Sequence, residues 1–296
     1  MANDARWDRL RYGPLLRLAS ASPAGARLFA ALASHVEHRR DPERRRVAED
    51  RIMRWLGATP SEAARIFRAG LYSEALEEAD SARWMRLERP PVEEVELAGF
   101  SRQGGRPRIY GALHAGSPVH AYLAMRARDE PDVRIIAREL DERNPMPRAK
   151  LAFAMRKVAW VERMAGTRFI DTDASAILLA RDHLLAGRPL FAAIDVPGDV
   201  VARAGRVSLF GEPVLIAAGV FHLAAMTGAD MQLVVSMRRG DGFVARCRPP
   251  IEGKSVDELL AAMAREMEAV IREQPGELWF WPYFVAAESG GRERSP

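Results

Sequence analysis

The sequence has a single cysteine, Cys247, so no internal disulfide can form and a disulfide-stapled exported scaffold is excluded. A reducing, cytoplasmic setting is expected. No run reaches the ~20 uninterrupted apolar residues of a membrane span. The N-terminus, with Asp4, Arg6, Asp8 and Arg9, lacks the layout of a signal peptide, so the reading is a soluble or peripheral protein. No Gly-x-Ser-x-Gly elbow supports a hydrolase nucleophile, no Walker loop is present, and Gly99 to Gly105 lack the spacing of a dinucleotide fingerprint. The six histidines are dispersed and have no cysteine partners, which argues against a metal site. Nucleic-acid binding needs a basic, aromatic-rich surface; aromatic residues make up only 7% and the N-terminal arginine cluster gives only weak support, so no nucleic-acid partner is expected.

What is present is enough for a large core. At 296 residues with 48% hydrophobic residues, the chain fits one α/β domain with a helical extension as well as it fits two domains. The formal net charge is +4, but residues 1–46 hold ten Arg against five acids, so the basic character is N-terminal. There Trp7, Leu10, Tyr12, Leu15, Leu16 and Leu18 alternate with Arg6, Arg9, Arg11 and Arg17. A second helical stretch, Ala26 to His38, carries Leu28, Phe29, Leu32 and Val36 on one side. Such faces suit an anionic membrane surface or the protein's own core; packing is preferred, because an apolar stripe usually faces its own protein. The charge run Arg39 to Arg46 reads as a solvated surface or turn, and Thr59-Pro60-Ser61-Glu62 as a capping box opening a helix. Arg89-Pro90-Pro91 ends the helical part, which divides the chain into a basic helical segment, 1–90, and a core, 91–296.

The core alternates. Short β-rich runs occur at Val92 to Leu97, Arg108 to Leu113, Val133 to Ala137, Pro189 to Ile194 and Met231 to Met237. Between and after them lie helical segments at Val119 to Arg128, Arg148 to Met164, Ala174 to Leu185, Val214 to Met226 and Val256 to Glu273. Strand and helix in alternation predict an α/β fold with a mostly parallel central sheet flanked by helices.

In such a sheet, polar residues just past the strands gather on one edge: His114, Arg138, Asp195 and Arg238 or Arg239. His114 follows a strand and precedes a helix start, Ser117-Pro118, with Ser117 as N-cap and Pro118 at the first helical position. An imidazole there suits a general base, and the guanidinium groups suit an anionic or phosphate-bearing substrate. A loop histidine that merely bonds backbone is the plain alternative. His120 reads as a first-turn polar residue, and Cys247 as a small strand residue.

Leu113-His114-Ala115-Gly116, after a Gly-rich turn and a strand, resembles the His-x-Gly block of the bacterial lipid A biosynthesis lauroyl/myristoyl acyltransferase family, within the lysophospholipid acyltransferase superfamily. Later blocks follow in the family's order. They are Arg163-Met164-Ala165-Gly166, the strand ending in Asp195, Phe210-Gly211-Glu212-Pro213, Thr227-Gly228-Ala229 with the strand to Arg238, and Glu268 through Trp281. The resemblance implies transfer of a fatty acyl group from a thioester of acyl carrier protein or coenzyme A, as co-substrate, to a hydroxyl or amine of a lipid-like acceptor. It implies no permanently bound cofactor and a place on the cytoplasmic face of the inner membrane. His114 would be the catalytic base, and Arg138, Arg163, Phe210, Gly211 and Arg238 would bind substrate. The family's central motif is His, four residues, then Asp or Glu; here that last position is Val119. Asp195 is the candidate substitute, since it leaves the same sheet edge. Loss of the motif acid also leaves open a degenerate member that binds lipid or acyl carrier and assists a partner enzyme.

Overall fold

The computed structural model describes residues 2–89, 92, 95–100, 106–142, 144, 146–172, 174–198, 201, 203–240, 242–253 and 255–287. Helices come first: α1 (Ala2–Leu10), a widened turn at Arg11–Leu15 around Gly13 and Pro14, α2 (Leu16–Ala19), α3 (Pro23–Arg40), α4 (Pro42–Leu56) and α5 (Pro60–Leu87). The charge run at 39–46 is split by Asp41, whose carboxylate caps α4 by accepting from Arg44 N at 2.9 Å. The Thr59–Glu62 capping box opens α5, which continues for 28 residues.

The alternating part contains β1 (Val95–Ala98), β2 (Arg108–Ala112), α6 (Pro118–Arg128), β3 (Arg134–Ile135), α7 (Arg148–Ala165), α8 (Ala174–Leu185) and β4 (Leu190–Ala193). There follow β5 (Ala204–Leu209), β6 (Glu212–Ala217), α9 (Gly219–Thr227), β7 (Asp230–Arg239), β8 (Gly242–Cys247), α10 (Val256–Glu273) and β9 (Val285–Ala286). The main sheet runs β1-β8-β7-β2-β4-β3, with every pair parallel except β7–β8. It is the mostly parallel, helix-flanked α/β architecture that the alternation implies.

Successive strand residues face opposite sides of the sheet. Ile109, Leu190 and Leu233 join a core with Phe221, Met263 and α10, while Tyr110, Phe191 and Val234 join a second with Tyr122, Trp160 and Trp84. Ile52 of α4 and Phe67 of α5 belong to the first core, so the N-terminal helices pack on the sheet unit.

One expected helix is different. Val214 to Ala217 form strand β6, and the helix begins only at Gly219. The cause is the turn Phe210-Gly211, with φ of 54° and 80°, a two-residue reversal with both φ positive that matches strand twist and closes a hairpin with β5.

The basic N-terminal segment sorts its charges. Arg11 pairs with Glu37 at 2.9 Å and Glu78 at 2.7 Å, Arg40 with Asp8 at 2.8 Å, and Lys150 of α7 with Glu74 at 2.6 Å. Tyr12, Leu16 and Phe29 are buried, whereas Leu10, Leu18, Leu28 and Leu32 face outward. Burial alone would raise the Glu74 carboxyl, but Lys150, Arg44 and Arg11 outweigh it and hold it at about 2. A carboxylate depressed in the folded state contributes stability that is present above its unfolded value and is lost as pH falls through the folded one. Glu74→Gln is therefore expected to cost about 3 kcal/mol near neutrality. In acid melts, its deficit relative to wild type should shrink between about pH 4.5 and 2.

Candidate active site

The parallel pairing of β2 and β4 matches Ala112 with Ala193, so two residues beyond each strand His114 meets Asp195. The match is carried past the strand ends by Ile194 N, which donates to Ala112 O at 3.0 Å. Gly111 is required beside it, since a Cβ there would lie 2.9 Å from Ile194. Asp195 is fully buried; its Oδ1 lies 2.7 Å from His114 Nδ1, and its Oδ2 accepts from His114 N at 2.7 Å. An ionised carboxylate only accepts, so Nδ1 carries the hydrogen and Nε2 keeps its lone pair. Nε2 has no hydrogen-bond partner among the described residues, and the side chain is 28% exposed.

Phe280 stacks on the imidazole, with ring centroids 3.9 Å apart and planes 5° from parallel. Its segment pairs with the histidine loop as a short extra strand. Trp279 N donates to His114 O at 2.9 Å, Gly116 N donates to Glu277 O at 3.2 Å, and Ala115 bridges Leu278. The segment is in turn held by Arg51, which donates to Trp281 O and Phe284 O, and by Ser73, whose hydroxyl donates to Glu277 at 2.6 Å. Gly116, at φ +59°, lies so close to β7 that a Cβ would come within 1.9 Å of Ser236 O.

Ser117 occupies the N-cap position, but its hydroxyl does not cap α6; it pairs with His120 Nδ1 at 2.5 Å. The first-turn N–H groups of α6 are thereby left without a side-chain cap. His120 is buried, with Nε2 3.4 Å from Ser81 Oγ, and burial, aided by Lys157 and Arg238, pushes its imidazole well below the ordinary value. It serves as a neutral internal link. Val119, the position of the motif acid, packs against the cluster of Trp84, Tyr110 and Phe243.

The strand order sets Arg238, His114, Asp195 and Arg138 along one edge. Arg238 bonds Asp80 of α5 and lies over the Phe243 ring at 4.4 Å. Burial raises the Asp80 carboxyl to about 6 in spite of that guanidinium. Arg239 instead reaches Glu96 at the surface. Arg138 is exposed just past β3, in a loop fastened by Glu139 N donating to Asp171 at 3.2 Å.

Arg163, Phe210 and Gly211 are not brought to His114. Arg126, in the last turn of α6, donates to Ala165 O at 2.6 Å and to Val133 O at 2.6 Å, which fixes the end of α7 and Arg163 at the edge where the strands begin. The Phe210-Gly211 turn is the tip of the hairpin, whose other end touches Val196 through Ala217 N. Phe210 there stacks on Trp55 with centroids 5.0 Å apart, and its N–H donates to Glu268 at 2.6 Å. Sequence reasoning singled out neither Phe280 nor Glu277; the aromatic run Trp279-Phe280-Trp281 was the available signal, but its pairing with the histidine loop is tertiary.

Among the described residues no group of three or more His, Cys, Asp or Glu could hold a metal ion, and no helix is long and apolar enough to cross a membrane.

Residues 185–283 match the model of the family described as bacterial lipid A biosynthesis acyltransferase, which supports the resemblance read from the sequence blocks. Asp195, Phe210 and Phe280 lie inside the matched stretch, and His114 precedes it. No curated protein matches the chain.

Proposed function

We propose, on the premise of a family match that supports an acyltransferase of the lipid A type, that His114 is the general base of acyl transfer and that Asp195 orients it. In this reading an acceptor hydroxyl meets Nε2 at the open edge of the ring. Nε2 takes its proton as the oxygen attacks the carbonyl carbon of an acyl thioester on carrier protein or coenzyme A. The carbonyl oxygen becomes an oxyanion, for which the uncapped N–H groups at the start of α6 are the donors. Collapse breaks the carbon–sulfur bond, and the leaving thiolate recovers the proton from the imidazolium. Asp195 stabilises that cation and holds the tautomer in which Nε2 can accept.

The observation that carries this reading is the double hydrogen bond from His114 to one buried carboxylate. It supplies from a neighbouring strand what the motif acid supplies elsewhere in the family. Val119→Glu is accordingly expected to leave thiol release unchanged, because Nδ1 already has its acceptor. A gain of about tenfold or more would mean that Asp195 does not do the orienting and that the degenerate, ligand-binding reading is the better one. The experiment for the reading as a whole supplies purified protein with acyl thioesters and lipid or alcohol acceptors and follows free thiol.

A further inference from the structure

Helices α3, α4, α5 and α10 each begin with a side chain that closes the first turn. Ser22 accepts from Gly25 N at 3.0 Å, Asp41 from Arg44 N at 2.9 Å, Thr59 from Glu62 N at 3.3 Å and Ser255 from Glu258 N at 3.2 Å. Ser117-Pro118 repeats the Ser-Pro pair of Ser22-Pro23, yet Ser117 does not cap α6. Its backbone, at φ −141° and ψ 74°, is turned away from the φ −155° and ψ 158° of Ser22, and its hydroxyl meets His120 Nδ1 at 2.5 Å.

A buried polar chain fixes where each hydrogen lies. Lys157 of α7 pairs with Glu77 of α5, and the Ser81 hydroxyl donates to the same carboxylate oxygen at 3.0 Å. A hydroxyl has one hydrogen, so toward His120 Nε2, 3.4 Å away, the Ser81 oxygen can only accept. Nε2 therefore carries the hydrogen of the ring. His120 is fully buried, and burial, aided by Lys157 and Arg238, keeps it neutral, which leaves Nδ1 as a bare acceptor. Ser117 donates to it. The hydrogens thus point one way, from Ser117 to His120 to Ser81 to Glu77.

The consequence falls on the turn that also carries His114. Pro118 has no N–H, and Ala121 N is taken by Ser117 O at 3.1 Å, so the N–H groups of Val119 and His120 are those without a side-chain cap. Pro118 and Val119 are partly exposed, which leaves this helix start open. Ser236, whose carbonyl lies against Gly116, adds a buried hydroxyl with no partner among the described residues. An unrestrained serine at this position would take the N–H groups itself, a preference of about tenfold. Drawing its hydroxyl onto His120 forgoes that contact and keeps the donors uncommitted on the same turn as the base.

We infer that His120 is a positioning residue for acyl transfer: it holds the Ser117 hydroxyl off the start of α6, so that the Val119 and His120 N–H groups stay available to the oxyanion. This role presupposes the acyl-transfer reading of His114, and no bond to the His120 ring forms or breaks in the reaction.

The test joins kinetics and spectroscopy on the full chain. His120→Leu removes the acceptor and lets Ser117 cap α6, so kcat for thiol release should fall about tenfold at unchanged KM, as expected when a transition-state contact is lost. Adding Ser117→Ala to that variant removes the competing hydroxyl, and kcat should return to within about threefold of wild type. His120→Asn offers an amide oxygen to the same hydroxyl and should hold kcat within about threefold of wild type, although it loses Ser81. Both the Leu and the Asn variant break the Ser81 link and should melt lower, but only the first should lose rate. Nitrogen-15 NMR should find His120 neutral, with its hydrogen on Nε2, between about pH 5 and 8. The assignment is overturned if His120→Leu keeps its kcat, or if either the double variant or His120→Asn is as slow as His120→Leu. A His120 ring that carries its hydrogen on Nδ1 overturns it as well. Equal rates for wild type and His114→Ala would overturn the reading of His114, and this role with it; a slow His114→Ala beside an unimpaired His120→Leu overturns this role alone.

Discussion

Asp195→Asn is expected to lower acyl transfer by about 10²–10⁴-fold while the protein stays folded. Asp195 accepts two hydrogen bonds from the same residue, one from the backbone N–H of His114 and one from its ring, both at 2.7 Å. An amide has one acceptor and one donor in their place. If its oxygen faces the ring, its NH₂ opposes the His114 N–H and the loop shifts. If its NH₂ faces the ring, it donates to Nδ1, the hydrogen moves to Nε2, and the atom that must accept a proton cannot. The second arrangement removes the base, and the first displaces the loop that carries it. The stability cost of leaving one buried group mispaired is about 1–3 kcal/mol, which a thermal melt separates from loss of rate. Steady-state thiol release against acyl thioester concentration is the readout, and an Asn variant within a few fold of wild type would assign Asp195 to holding the loop alone.

The two residues of this pair were legible in the sequence for a simple reason. In a parallel sheet the residues past each strand share an edge, and the apolar runs before His114 and Asp195 are short and unambiguous. What could not be read was that the strands are in register to the residue, Ala112 against Ala193, which turns a shared edge into direct contact. Phe280 was hidden because its approach to His114 depends on a strand-like pairing across some 165 positions of chain. Arg163, Phe210 and Gly211 show the limit of reading position from sequence order. Blocks placed in order along a chain say nothing about which edge of the sheet each one reaches, and here two of them hold helix ends and a hairpin tip. The strand β6 was read as helix because Val214 to Ala218 is continuously apolar, a pattern that fits a buried strand or helix equally. The deciding signal was the Phe210-Gly211 turn. The N-terminal charges were visible as a count, but which arginines face inward depended on the acids of α5 and the lysines of α7.

His114→Ala is expected to have the largest effect of any single change, because it removes the proton acceptor itself. General-base catalysis contributes about 10²–10⁴-fold, and the loss should appear in turnover with every acceptor tried. The side chain is partly exposed and its backbone N–H can still donate to Asp195, so the loop should keep its shape. Phe280 would lose its stacking partner, but Trp279 N would still donate to the carbonyl of residue 114. Loss of activity could not then be put down to unfolding, and equal melting curves would document this.

Release of free thiol from an acyl thioester in the presence of an acceptor hydroxyl, measured side by side for wild type and His114→Ala, tests the base assignment most directly. Wild type should release thiol in step with acylated acceptor, and the variant should be slower by at least about a hundredfold. Equal rates in the two proteins would contradict it, and leave a fold that binds acyl groups or lipids without performing the transfer at this histidine.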